Sequence, residues 1–346
     1  MSELVFLRLP RQDDDSVSNM PPQSRSAYIH YILPAEQTAI EREGLNPQDI
    51  SKQRRYIGVL GGFLIEPVNE TARICLSTEI ESCLGSFERL VELGQFYYIH
   101  CVRRFKSAAD LTPRMSSRPS LDSLAEEITP HLVTTLQNHS EAKRLALFRD
   151  GFQCILTGKF DLGMWCKYPS KFPLGAASRL APTHCTHIIP EPVNKLTPFA
   201  NPEAKLATGF SSILERFGYP DAWSELNGHK CHRLSNALTL SGEAHMLMDR
   251  LCLWFESTGE GNGWPAQITF KVRDDLGIPG ILPPKEGSMD LPHPDFLALH
   301  ATCCKVAHLA GAAETLEDSA LHRGLAQDGS SADMLFEELY SLVDPM

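Results

Sequence analysis

The stretch "LSNALTLSGEAHMLMD", Leu234 to Asp249, changes character half-way along. Asn236 to Leu240 reads as an extended segment, Ser241 is a residue type that caps helices, and a helix follows through about Leu251. On that helix His245 and Asp249 are four residues apart, which puts both side chains on one face with Cβ atoms about 5–6 Å from each other. Such a pair suits two ligands of one divalent cation. It equally suits a solvated His/Asp pair worth roughly a few tenths of a kcal/mol. Asn236 alone says little, since Asn ahead of a strand is usually a turn residue.

Upstream, "THCTHIIPEP", Thr183 to Pro192, is a second extended segment, stopped by Pro190 and Pro192. It crowds His184, Cys185 and His187 together. Residues i and i+2 on a strand share a face, so Cys185 and His187 can stand as nucleophile and base. No orienting acid or oxyanion-hole glycines accompany them, however, and cysteine is commonly a small buried apolar residue. A lone strand histidine is also more often a hydrogen-bonded core residue than a catalyst. Still earlier, "SEAKRLALFRDGFQCILTGKFD" reads as a helix, a turn at Asp150-Gly151, a short strand Gln153 to Thr157 and a turn at Gly158. Between the two extended segments, "NPEAKLATGFSSILERFGYPDAW" offers a short helix bounded by Gly218 and Pro220, an insertion rather than a core element. A His on one strand, an Asn opening the next and a His-x-x-x-Asp helix directly after it carry more weight in that order than singly.

In that order, "LFRDGFQCILTGKFD", "CTHIIPEPVNK" and "LSNALTLSGEAHMLMD" resemble the HNH nuclease domain, in particular the subfamily found in many fungal proteins. The flanks "TPRMSSRPSLDSL" and "LPHPDFLALHATCCKVAHLAGAAE" are also similar to those proteins. The resemblance covers most of the chain from about Leu84 onward, with the motifs tied to chemistry confined to residues 140 to 256. It implies an α+β fold with a ββα-metal (HNH) core, in which two strands and a helix hold one divalent cation (Mg, Mn or Zn) against a scissile phosphate. The implied activity is that of a metal-dependent endonuclease acting on DNA, or on RNA. Carried over residue by residue, it implies His187 as general base, Asn236 as the residue that fixes that imidazole, His245 as a metal ligand and Asp249 as a second helical ligand. A neutral imidazole near pH 7 can take a proton from water, and a cation can stabilise the charge developing on the phosphate and the leaving 3′ oxygen. One position departs from the pattern. Many relatives carry an Asp or His ligand before the base, whereas Thr186 stands here, and a hydroxyl is a weak ligand for a hard cation. The alternative is a catalytically inactive HNH-fold protein that binds or regulates.

A chain of 346 residues is expected to hold two or three compact units. Residues 1–28 read as an N-terminus without fixed structure, 29–105 as a mainly helical unit, 106–122 as a Pro/Ser/Arg linker, 123–275 as the nuclease domain and 276–346 as a helical C-terminal unit. Within the helical unit, Leu84, Phe87, Leu90, Val91 and Gly94 recur at three- and four-residue steps, while "YIGVLGGFLI" fits either a strand pair or a buried helix. That apolar run is about half of the ~20 residues a membrane span needs, so no membrane association is expected.

The 32 Lys and Arg against 43 Asp and Glu give a formal charge of -11, which argues against coating nucleic acid along the whole surface. Any phosphate-binding patch is therefore local. Between Glu141 and Leu240 there are twelve Lys or Arg against eight Asp or Glu, and Arg144, Arg149 and Lys195 are the candidates to hold backbone phosphates. The acidic helical flanks suit a protein partner. Ten cysteines without a CxxC pair imply reduced thiols and an intracellular protein, in nucleus or cytoplasm. The spacings of 12, 19 and 46 between Cys154, Cys166, Cys185 and Cys231 do not support a four-cysteine zinc site. In "NGHKCHRL", His229, Cys231 and His232 read as surface loop residues in preference to ligands.

Overall fold

The structure is a computed structural model that describes residues 8–43, 47–105, 139–190, 202–226, 228–257, 268–272, 281–282 and 290–312. The expected linker, the helix expected after it, Lys195 and the helix expected in "SADMLFEELYSLV" lie outside these residues. The described chain is mostly helical with a few short strands, an α+β arrangement.

Two short helices, α1 (Asp15–Ser18) and α2 (Pro22–Ala27), occupy the stretch expected to lack fixed structure. Its few apolar residues are too sparse to show a period, yet Val17, Met20 and Ala27 are buried. The Asp14 carboxylate caps α1 by accepting from the Ser16 N–H at 2.9 Å. Ahead of it, the Leu9 N–H donates to the buried Glu36 carboxylate at 2.8 Å, which ties this N-terminal segment to the helix Leu33–Glu43.

A π-helical turn over Tyr28–Ile32 leads into α3 (Leu33–Glu43), followed by α4 (Pro47–Ile65), α5 (Glu70–Ser82) and α6 (Phe87–Tyr97). The run "YIGVLGGFLI" is the C-terminal half of α4, and Ile57, Val59, Leu60, Phe63 and Leu64 are all buried there. A helix enclosed on every side needs no amphipathic period, which is why its sequence fitted a strand equally well. Helix α6 starts later than its apolar spacing suggested. Leu84 is exposed with φ 53° and Gly85 has φ 73°, so both are turn residues, and Ser86 caps the helix by accepting from the Arg89 N–H.

The site platform begins with α7 (His139–Arg149), which ends in a turn where the Phe152 N–H reaches back to the Leu147 carbonyl at 2.7 Å. The strand expected at Gln153 to Thr157 is a run of turns with a single bridge from Gln153 to Phe160. Next come β1 (Phe160–Asp161), α8 (Leu162–Lys167), β2 (Leu180–Ala181), parallel to β1, and β3 (Thr183–His187). The buried Asp161 caps α8 through the Met164 N–H at 2.7 Å and accepts from the Thr183 hydroxyl at 2.6 Å, which sets where β3 starts.

After α9 (Pro202–Arg216), α10 (Ala222–Leu226) and two 3-10 turns, Gly228–His232 and Leu234–Asn236, the chain enters β4 (Ala237–Ser241). Strand β4 pairs antiparallel with β3, Thr183 opposite Ser241 and His187 opposite Ala237. Ser241 caps α11 (Gly242–Asp249), as its sequence predicts. A three-stranded antiparallel sheet follows, β5 (Leu253–Ser257), β6 (Ile268–Val272) and β7 (Ile281–Leu282), and then α12 (Pro294–Leu309).

The expected units do not bury separate cores. One apolar cluster joins Leu9 and α4 to Phe210, Ile213, Leu214 and Phe217 around α9, to Leu238 and Leu240 on β4, and to α12. Helix α9 is thus a core element and not a peripheral insertion. Helix α12 is buried almost all round, packing on α4 where Gly58 faces Ala310 and Gly62 faces Val306 at distances that leave little room for a Cβ. A second, small cluster of Ala142, Ala146, Cys185, Leu234 and Ala237 seats α7 on the strand pair.

Candidate functional site

Side chains on a strand alternate between faces, so His184 and Thr186 share one side of β3 while Thr183, Cys185 and His187 share the other. Cys185 packs on α7, and burial pushes its thiol up to about 12. A protonated thiol at neutral pH is a poor nucleophile, so the pairing of Cys185 with His187 has no thiolate to work with.

On the opposite side, the His184 ring lies 5.4 Å from the His245 ring, centroid to centroid. His245 Nε2 is 3.4 Å from Asp249 Oδ2, both side chains are about one-fifth exposed, and the two residues stand one turn apart on α11 as their spacing predicts. His184, to which the sequence resemblance assigns no role, therefore borders this pair. Thr186, on the same face, is buried, and its hydroxyl has no hydrogen-bond partner among the described residues.

His187 closes β3 and meets a different neighbour. Its Nε2 is 3.2 Å from Nδ1 of His232, and the ring centroids are 5.1 Å apart. The Sγ of Cys231 joins these nitrogens, all three atoms lying within 4.8 Å of one another. Cys231 and His232 are buried, so the expectation that both are surface loop residues is corrected. Only the backbone of His229 is described. Cys231 and His232 sit just five and four residues before Asn236, a proximity that the reading as surface loop residues passed over.

Asn236 is fully buried and works on backbone. Its Oδ1 accepts from the Ile189 N–H at 2.8 Å, and its Nδ2 donates to the carbonyls of Ile189 and Cys231, each at 2.9 Å. One amide thus binds the chain just past His187 to the turn carrying Cys231 and His232. Both N–H donors and the carbonyl oxygen of its side chain go to backbone groups, which is the arrangement expected of a positioning residue.

Arg149 and Asp150 hold this assembly from below. The Arg149 guanidinium pairs bidentately with the Asp150 carboxylate at 2.7 and 3.0 Å and donates to the carbonyls of Leu234 at 2.8 Å and Ala237 at 2.7 Å. Asp150 in turn accepts from the Thr239 N–H at 3.0 Å. Arg149 is buried with its donors engaged inside the protein, so it is not a phosphate-binding residue here. Arg144 is partly exposed on α7.

Comparison of the chain with protein-family models, with curated proteins and with solved structures gave no match in any of the three. Among the described residues no helix is long and apolar enough to cross a membrane.

Proposed function

We propose that this chain is a metal-dependent phosphodiesterase of the HNH type, with β3, β4 and α11 as its ββα-metal core and a nucleic-acid backbone, of DNA before RNA, as its substrate. The observation that supports this most is the placement of four side chains: His187 closes β3, Asn236 stands directly ahead of β4, and His245 and Asp249 face each other on the helix that β4 feeds. The His245–Asp249 pair fits a divalent cation. Its 3.4 Å separation is about the ligand–ligand edge of a tetrahedral site with bonds of roughly 2.1 Å. An imidazole and a carboxylate suit manganese or zinc and accept magnesium. When bound there, a cation would stabilise negative charge on the phosphate and on the departing oxygen.

The chain's own groups supply the rest. His187 would take the proton of the attacking water at a ring nitrogen, which requires the neutral imidazole. Asn236 acts through backbone, fixing where β3 ends and how the His187 ring is presented. A second reading, a non-catalytic module on the same scaffold, is favoured by one observation: the buried Thr186 hydroxyl offers no ligand where many relatives carry one. Conversion of supercoiled plasmid to open circles in magnesium or manganese tests the cation arm. His245→Ala and Asp249→Ala are expected to abolish it. Undiminished cleavage by both variants removes the reading, and DNA binding by the wild type without cleavage in magnesium, manganese or zinc favours the second one.

A further inference from the structure

We infer that His187, Cys231 and His232 form a second metal site, suited to a thiophilic divalent cation of the zinc class, and that filling it withdraws His187 from proton transfer. The existence of the site stands on geometry alone, while its regulatory consequence rests on the reading of His187 as the base.

The donor set is one sulfur and two imidazole nitrogens, with atoms within 4.8 Å of one another. In tetrahedral zinc with Zn–N of about 2.0–2.1 Å and Zn–S of about 2.3 Å, the N···N edge is about 3.4 Å and the N···S edge about 3.6 Å. The observed 3.2 Å between His187 Nε2 and His232 Nδ1 is already close to such an edge. Without a cation, two lone pairs cannot face each other at that distance, so one ring carries a proton and donates it to the other. A cation between the rings would take the place of that proton, which moves to the other nitrogen of the same ring, so both imidazoles stay neutral. Binding would proceed with loss of the Cys231 thiol proton to solvent, giving a thiolate and two neutral imidazoles on the metal with no change of oxidation state.

Two features separate this set from a chance meeting. Asn236, itself fully buried, ties Ile189 beside His187 to the carbonyl of Cys231, so the two chain segments that bring the ligands are held together before any cation arrives. Burial of Cys231 and His232 strengthens a charge-neutralising bond in a low-dielectric setting, while the partly exposed His187 leaves a route in and a place for water as fourth ligand. Sulfur selects zinc-class cations over magnesium, whereas the His245–Asp249 pair carries only nitrogen and oxygen. Of the two places, the one with sulfur would therefore discriminate more strongly for zinc against magnesium.

Cobalt(II) substitution of the full reduced chain tests the site, because a sulfur-to-cobalt charge-transfer band reports thiolate ligation whether or not the protein cuts DNA. With the exposed Cys166 removed by Cys166→Ser, the band and tight zinc uptake are expected to persist, to survive His245→Ala, and to vanish in Cys231→Ser and in His232→Phe. Circular dichroism checks that each variant is folded, and His232→Phe, which keeps the ring volume, serves if Cys231→Ser is not. Absence of the band in the folded Cys166→Ser chain, or its loss in folded His245→Ala, overturns the site. In the plasmid assay, zinc is expected to slow the wild type relative to its own zinc-free rate and to leave Cys231→Ser unaffected. Equal slowing of both overturns the regulatory half, and a chain that shows the cobalt band yet never cuts keeps the site while refuting the nuclease reading.

Discussion

The two histidine clusters beside β3 differ in how the chain builds them. His245 and Asp249 belong to one turn of α11, need nothing beyond that helix to meet, and remain about one-fifth exposed. His187, Cys231 and His232 come from a strand end and a 3-10 turn, and two of the three are buried. The first pair costs the fold almost nothing and offers one imidazole nitrogen and one carboxylate oxygen. The second set needs a clamp, contains sulfur, and gains rigidity from Asn236. Proximity along a helix and proximity through tertiary structure thus bring together two donor sets of different chemistry beside one small strand pair.

The severest way to break that contrast is to remove what both share. Arg149→Ala strips the buried Asp150 of its partner and leaves the Leu234 and Ala237 carbonyls without their donors. A loss of about 3–5 kcal/mol is expected from breaking such a pair, read as a lower urea midpoint. A wild-type midpoint in this variant would mean that the strand pair stands without the clasp.

Asn236→Ala is expected to separate the clusters. It removes three hydrogen bonds and leaves buried backbone groups unpaired, for a total on the order of 3 kcal/mol. If the protein stays folded, zinc affinity at His187, Cys231 and His232 should fall well below wild type while manganese affinity at His245 and Asp249 holds. Equal loss of both would merge the two sites into one cooperative unit.

Acidity acts on the helical body. Burial holds the His300 imidazole on α12 down to about 4 from an ordinary 6.5, offset in part by its hydrogen bond to the Met248 backbone. The unfolded chain therefore takes up this proton first as pH falls. The stabilisation is fully present above about pH 6.5 and is lost progressively down to about pH 4, a change on the order of 3 kcal/mol. His300→Leu should flatten the pH dependence of the urea midpoint over that range. An unchanged slope would take the acid sensitivity away from His300.

Much of the local structure was legible in the sequence. Ser241 as a cap, the helix after it, the extended run of Thr183 to His187 and the turn at Gly218 each rest on short-range chemistry, and each is where its residues put it. What stayed illegible depends on distant partners. The enclosed half of α4 shows no period because every face is covered, and α9 counts as core only because the other helices close over Phe210 and Phe217. Likewise Arg149 reads as a phosphate ligand until Asp150, Leu234 and Ala237 are seen around it, and Cys231 and His232 read as loop residues until Asn236 draws them to the end of β3.

The most direct test of the account is the rate of plasmid nicking by His187→Ala beside the wild type, in magnesium or manganese and free of zinc, with circular dichroism confirming that both are folded. The account predicts that the wild type cuts in proportion to added cation and that the folded variant loses cleavage while still binding DNA. Equal cleavage by the two proteins would contradict it.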